Sequence, residues 1–156
     1  SRSVVASFFA CWRVQDLEMA VAHGHPDVVY TIHNGQDAAP LSGVYRGPES
    51  CRDLAYAMLA EFDYLTYEPT SVSVEDNIVR AQAFFRYRHR TTGNVIEGSR
   101  RLVFEVKDGL IYRIDSYEDT LRFEAFMRMS REAPPPIDVL DPFDLHIGRL
   151  KSGAGA

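Results

Sequence analysis

The sequence predicts an α+β domain in which helices come first and then cover one face of a curved antiparallel sheet. Three observations carry that prediction. Apolar residues near the N-terminus recur at helical spacing. From Glu68 onward the hydrophobic period changes to two, and glycine-bearing turns then punctuate the chain.

Val4, Phe8 and Trp12 stand at i, i+4 and i+8, with Val5, Phe9 and Cys11 beside them, so residues 4–14 read as an amphipathic helix. Asp16 can cap a second short helix from Leu17 to His23, which Gly24 and Pro26 end. Residues 28–32 are almost all β-branched or aromatic and predict a short strand before the polar loop 34–40. At Gly47-Pro48-Glu49 a third helix starts, because proline suits the first turn and an acid suits the positive end of the helix dipole. Its buried stripe is Cys51, Leu54, Ala55, Met58, Leu59 and Phe62. Segments near 68–75, 78–90, 96–107 and 111–118 alternate as strands, with hairpin turns at Thr92-Gly93-Asn94 and Asp108-Gly109. Leu121, Phe123, Phe126 and Met127 close with a last helix, which Ala133-Pro134-Pro135-Pro136 breaks. The expected division is one domain over 1–131 and a tail over 132–156. The tail's Ile137, Leu140, Phe143, Leu145 and Ile147 are too apolar for a plain linker and are expected to dock, with a floppy end.

At 156 residues the chain can bury roughly two-thirds of its unfolded surface, so neither metal nor disulfide is needed for folding, and no cofactor is expected. A formal charge of -5 disfavours nucleic acid, despite the arginine- and aromatic-rich hairpin holding Arg80, Phe84, Phe85, Arg86, Tyr87, Arg88, Arg90, Arg100 and Arg101. No apolar run approaches the ~18 residues of a membrane span, and no secretory leader pattern opens the sequence, so a cytoplasmic location is expected. Cys11 and Cys51 fall on apolar helical positions and read as small hydrophobes. His23, His25 and His33 with Asp27 match no metal-ligand spacing, and no metal is expected.

The segments "FFACWRVQDLEMAV" leading to "DVVYTIH", "PLSGVYRGPES", and the closing hairpin "LVFEVKDGLIYRIDSYEDT" carry a family resemblance. Over about residues 4–128 the chain resembles the ketosteroid-isomerase-like and SnoaL-like branch of the nuclear transport factor 2-like superfamily. The resemblance implies a cystatin-like, cone-shaped, mostly antiparallel sheet wrapped around the N-terminal helices, a pocket at its wide end, and frequently a homodimer. Members include isomerases, cyclases, epoxide hydrolases, dehydratases and proteins without catalysis, so the scaffold specifies fold better than chemistry.

Which side chains face the hollow depends on strand register, since a one-residue slip exchanges the two faces. Val79, Ala81, Ala83, Phe85 and Tyr87 form an apolar face that should point inward. Pairing across the Thr92-Gly93 turn then places Gly98, Arg100, Leu102, Phe104 and Val106 on the same side. For the last hairpin, a two-residue Asp108-Gly109 turn would bring Asp115 inward, whereas a three-residue turn with a glycine bulge brings Tyr112, Ile114 and Ser116 inward. The second register is favoured, and it agrees with the family pattern in which the residue before the tyrosine of "SYED" points into the cone. Many isomerase-like and epoxide-hydrolase members carry an acid there, where this chain has Ser116. The resemblance also sets Tyr30 on a pocket tyrosine, but places Ile32, Ala83 and Phe85 where epoxide hydrolases carry Asn, Arg and Asp, which argues against that chemistry.

The expected pocket wall is Trp12, Tyr30, Phe85, Tyr87, Arg100, Ile114 and Ser116. Arg100 could hold an enolate or carboxylate oxygen, or else pair with Glu118. Tyr30 and Tyr87 could donate to a developing oxyanion. Asp115, if its register holds, and His33 near the pocket mouth are the candidate proton-transfer groups. The resulting expectation is a small hydrophobic organic ligand in the cone of a homodimer, handled by an isomerase, cyclase or dehydratase that moves a proton next to a carbonyl. The alternative is a non-catalytic homodimeric ligand-binding or protein-interaction module.

Overall fold

A computed structural model describes residues 1–132. Helix α1 spans Arg2–Arg13 and α2 spans Leu17–Ala22; strand β1 runs Gly24–His33 and β2 Gly43–Arg46. Helix α3 follows at Gly47–Glu61, then β3 Phe62–Glu75, β4 Ile78–His89, β5 Val95–Lys107, β6 Leu110–Tyr117 and α4 Thr120–Glu132. The six strands form one curved, unclosed sheet in the order β2-β1-β6-β5-β4-β3, antiparallel except where β1 runs parallel to β6. The α+β class and the meander are as expected. The tail over 133–156 lies outside the described residues.

Helix α1 is the plug of the sheet. Its Val4, Val5, Phe8, Phe9 and Trp12 are buried, and Phe8 and Phe9 each meet the ring of Phe104 edge-on, at 5.7 and 5.8 Å. Asp16 caps α2 as expected, its carboxylate accepting from the Met19 amide at 3.1 Å. Helix α4 covers one end of the cone through Phe123, Phe126 and Met127, with Phe123 against Phe85 at 5.4 Å. Leu121, in the first turn of the same helix, is 78% exposed on its far face.

Four elements differ from their expected form. Strand β1 starts at Gly24 rather than near residue 28, because Gly24 already pairs with Ile111, and the ladder to β6 is irregular from there to Val29. Pro26 sits in that gap, where its missing N–H forfeits no ladder bond. Strand β2, an edge strand of four residues, is too short to show periodicity. Phe62 opens β3 rather than ending α3; its φ of -129° and ψ of 141° are extended. Bulges after Tyr64 and Pro69 break the two-residue period of β3, which hides its first half from a pattern reading. The first bulge also lets Tyr64 and Tyr67, three residues apart, approach each other inside the sheet at 5.7 Å.

The fourth difference is in the closing hairpin. Val79 pairs with Phe104, Ala81 with Leu102 and Ala83 with Arg100, so β4 and β5 have the expected register. Asp108 and Gly109, with φ of +54° and +73°, form a two-residue turn that pairs Lys107 with Leu110 and Val106 with Ile111. A bulge at Tyr112 then resets the ladder, so Glu105 faces Arg113, Phe104 faces Ile114 and Leu102 faces Ser116. Ile114 and Ser116 therefore point inward as expected, but through a bulge inside the strand instead of a longer turn. Tyr112 does not point inward with them. As the extra residue it packs beside His25, at 5.3 Å, and under the Lys107 ammonium, 5.0 Å from the ring centroid.

Candidate functional site

The three N-terminal helices do not seat flush on β1 and β6. Between them runs an apolar crevice with walls of Phe8 and Trp12 from α1, Ala20 and Val21 from α2, Leu54, Ala55 and Met58 from α3, and Val28, Tyr30, Ile111 and Ile114 from the sheet. Its free volume is about 40 Å³. Organic-ligand pockets usually measure about 300–1,000 Å³, so a ring-sized molecule enters only if a wall moves. Cys51 also lines the crevice, half-buried, and burial pushes its thiol up to about 11, which keeps it protonated.

Behind Tyr30 lies a polar centre. Arg100 on β5 and Glu118, just past β6, form an ion pair whose side chains are 1% and 0% exposed. Tyrosines enclose the guanidinium, its central carbon lying 5.9 Å from the ring centre of Tyr67 and 5.8 Å from that of Tyr87. Tyr64 stacks between Tyr87, at 4.2 Å, and Trp12, at 5.4 Å, and so joins the polar centre to α1. The hydroxyls of Tyr64 and Tyr87 and the Arg100 Nε are buried and make no hydrogen bond to another described protein group.

Enclosure sets the protonation states. Burial pushes the Tyr30 hydroxyl well above its ordinary value, and the Arg100 charge offsets only part of that, so Tyr30 remains a hydrogen-bond donor at neutral pH. Tyr64, Tyr67 and Tyr87 are shifted upward for the same first reason. Burial also raises the Glu118 carboxyl, while Arg100, and to a lesser degree Asn34 and Ser116, pull it back down.

Of the residues predicted from sequence, Trp12, Tyr30 and Ile114 line the crevice. Phe85, Tyr87, Arg100 and Ser116 are buried on the same side of the sheet but lie deeper, around the ion pair rather than on the crevice wall. His33 and Asp115 are elsewhere. Val28, Tyr30 and Ile32 occupy the inward positions of β1, so His33 projects from the outer face; Asp115, opposite Val103 after the bulge, does the same. There His33 Nε2 lies 2.8 Å from Asp115 Oδ1, with side chains 40% and 33% exposed, and the imidazole stacks on Tyr117 at 4.4 Å. As candidate proton-transfer groups of the cone they are corrected, since the thickness of the sheet separates them from it. The sequence marks Glu118 only as a partner for Arg100. It lies beyond the last paired residue of β6, where alternation assigns no face, and the bulge that sends Ser116 inward brings the Glu118 carboxylate with it. Among the described residues no three His, Cys, Asp or Glu side chains converge as a metal site.

Comparison with known proteins fits this geometry. Residues 5–114 match the SnoaL-like domain. The chain belongs to that family. Solved structures sharing the SnoaL-like chain's nuclear transport factor 2-like fold include a protein from Burkholderia xenovorans, 22% identical with a TM-score of 0.69, covering 79% of this chain and 92% of the other. TerC, crystallised with polyporic acid, is 17% identical with a TM-score of 0.71, over 81% of this chain and 96% of TerC. A candidate polyketide cyclase from Xanthomonas campestris is 17% identical with a TM-score of 0.68, over 81% and 95%. Identities this low establish the fold alone. No curated protein matches the SnoaL-like sequence. Among its described residues no helix is long and apolar enough to cross a membrane.

Proposed function

We propose that the SnoaL-like cone binds a small, mostly hydrophobic organic carbonyl compound and moves a proton on the carbon next to that carbonyl, as an isomerase or cyclase does. One observation carries the reading: Tyr30 belongs both to the wall of the apolar crevice and to the surroundings of the Arg100–Glu118 pair. A ligand seated on Phe8, Trp12, Leu54 and Met58 would therefore place its polar end at a protonated phenol backed by a buried guanidinium. In this reading Tyr30 donates to the carbonyl oxygen. Glu118 removes the proton from the adjacent carbon, and the electron pair moves onto the oxygen as an enolate held by Tyr30. Where the substrate carries a double bond one carbon further on, the intermediate is a dienolate, and the same carboxyl returns the proton at its far carbon as the electron pair moves back from the oxygen. A neighbour crystallised with polyporic acid and another that is a candidate polyketide cyclase support an organic ligand of this general class.

A second reading, a non-catalytic homodimeric binding or interaction module, is favoured by the crevice's about 40 Å³ and by the hold of Arg100 on the only fully enclosed carboxylate of the described residues. Two measurements separate the readings. Thermal titration with steroids, aromatic polyketides and simpler cyclic ketones should give a saturable rise in stability that Tyr30→Phe diminishes. Ligands found in this way should then exchange the proton next to their carbonyl for deuterium in D2O, and Glu118→Gln, checked for folding, should stop it. Silence across the panel overturns the reading, and binding without exchange selects the module.

A further inference from the structure

We infer that α2 is the gate of the crevice, latched shut by Glu18 against α3. The inference rests on the crevice being the ligand site and adds how that site is opened. With about 40 Å³ free, the crevice must widen to admit a ring-sized molecule, so one of its walls has to yield. The walls differ in how firmly they are held. Helix α1 buries five large side chains in the core, and the sheet wall is fixed by its ladders. Helix α3 is 15 residues long and buries Leu54, Ala55 and Met58.

Helix α2 has six residues, of which only Leu17 and Ala20 are buried, yet it supplies Ala20 and Val21 to the crevice wall. Small wall residues give it little apolar contact to lose on moving, so it is the wall with the lowest cost of local opening. What holds it to α3 is polar and exposed. One Glu18 carboxylate takes both available donors, accepting from Arg52 Nε at 3.3 Å through one oxygen and from the Tyr56 hydroxyl at 3.0 Å through the other. Gln15, one residue before the Asp16 cap, has φ of +58°, so the link from α1 to α2 is a single tight turn, held by the Gln15 and Asp16 amides donating to the Trp12 and Cys11 carbonyls at 3.1 and 2.9 Å. The His23 carbonyl, which accepts from the Ile111 amide at 2.8 Å, anchors the C-terminal side, so α2 opens by turning away from α3 between these two fixed ends.

This arrangement ties the latch to affinity as well as to entry. The latched crevice, with about 40 Å³ free, cannot hold a ring-sized molecule, so the latch stabilises only the empty state, and loosening it should speed entry and tighten binding together. Trp12 lines the crevice and is the only tryptophan of the chain, which makes energy transfer from Trp12 to a bound dye a reporter of occupancy at this place. The experiment is stopped-flow binding of 1-anilinonaphthalene-8-sulfonate to the full chain, wild type against Glu18→Gln and against Arg52→Gln with Tyr56→Phe. The expected result is a rise of about three- to tenfold in the association rate, the size that loss of a pair of exposed charged contacts allows, with a fall in Kd of similar size and a dissociation rate within about twofold of wild type. Wild-type binding with unchanged rates in both variants overturns the gate while leaving the ligand site standing. A changed Kd with an unchanged association rate makes Glu18 part of the binding surface and also overturns it. Absence of Trp12 transfer in wild type overturns the site reading and the gate with it.

Discussion

Arg100 and Glu118 are each other's counter-charge at the centre of the cone, with both side chains sealed from solvent and four tyrosines around them. A pair this deep is costly to desolvate, and its contribution appears mainly when one member is removed. Arg100→Met is therefore expected to lose about 3–5 kcal/mol by leaving a buried carboxylate unpaired, while Arg100→Met combined with Glu118→Leu recovers most of the loss. Urea denaturation of the two variants measures this. Equal losses in the single and double variants would mean the pair is not coupled.

The same carboxyl gives a pH signature. Burial raises the folded-state Glu118 above its ordinary value of 4.5, so the folded protein holds a proton that the unfolded chain releases. The associated stability is present below about 4.5 and is lost as pH rises through the folded value. The stability of wild type minus that of Glu118→Gln should thus fall as pH rises from about 4 and level off above the folded value. A difference that rises over that window would show that the Arg100 charge outweighs burial.

On the outer face, His33 and Asp115 are an exposed pair, whose worth is about 0–1 kcal/mol. Asp115→Asn and His33→Gln should leave ligand binding unchanged and alter stability within that range, whereas Ile114→Ala, one residue away but facing inward, should cost about 2–5 kcal/mol. Thermal unfolding of the three variants tests the bulge at Tyr112 directly, since without it Asp115 would be the inward residue.

The hydroxyls of Tyr64 and Tyr87 are buried without a hydrogen-bond partner among the described groups. Removing such a group relieves a desolvation cost of about 1–3 kcal/mol, so Tyr64→Phe and Tyr87→Phe should match or exceed wild-type stability. If either variant also loses ligand affinity, its hydroxyl faces the ligand. A loss of stability above about 1 kcal/mol would mean that the hydroxyl is already satisfied.

Elements whose signal is local are legible in the residues themselves. Helix α1 is legible in Val4, Phe8 and Trp12, the start of α3 in Gly47-Pro48-Glu49, and the face of β4 in the alternation from Val79 to Tyr87, because helical and strand periods project side chains at fixed angles from the backbone. Arg100 could be placed inward for the same reason, as the antiparallel partner of Ala83. What a bulge or a distant neighbour controls is set only once the strands pair. One extra residue at Tyr112 reverses the faces of every later residue in β6, sending Ser116 in and Asp115 out, and a bulge after Tyr64 brings two tyrosines onto one side of β3. Neither bulge has a sequence signature, because its energy lies in the pairing of strands and not in the residues that form it. Glu118 became a candidate only through the Arg100 guanidinium facing it, and α2 a gate only through Arg52 and Tyr56, contacts between residues more than fifteen positions apart that the fold alone brings together.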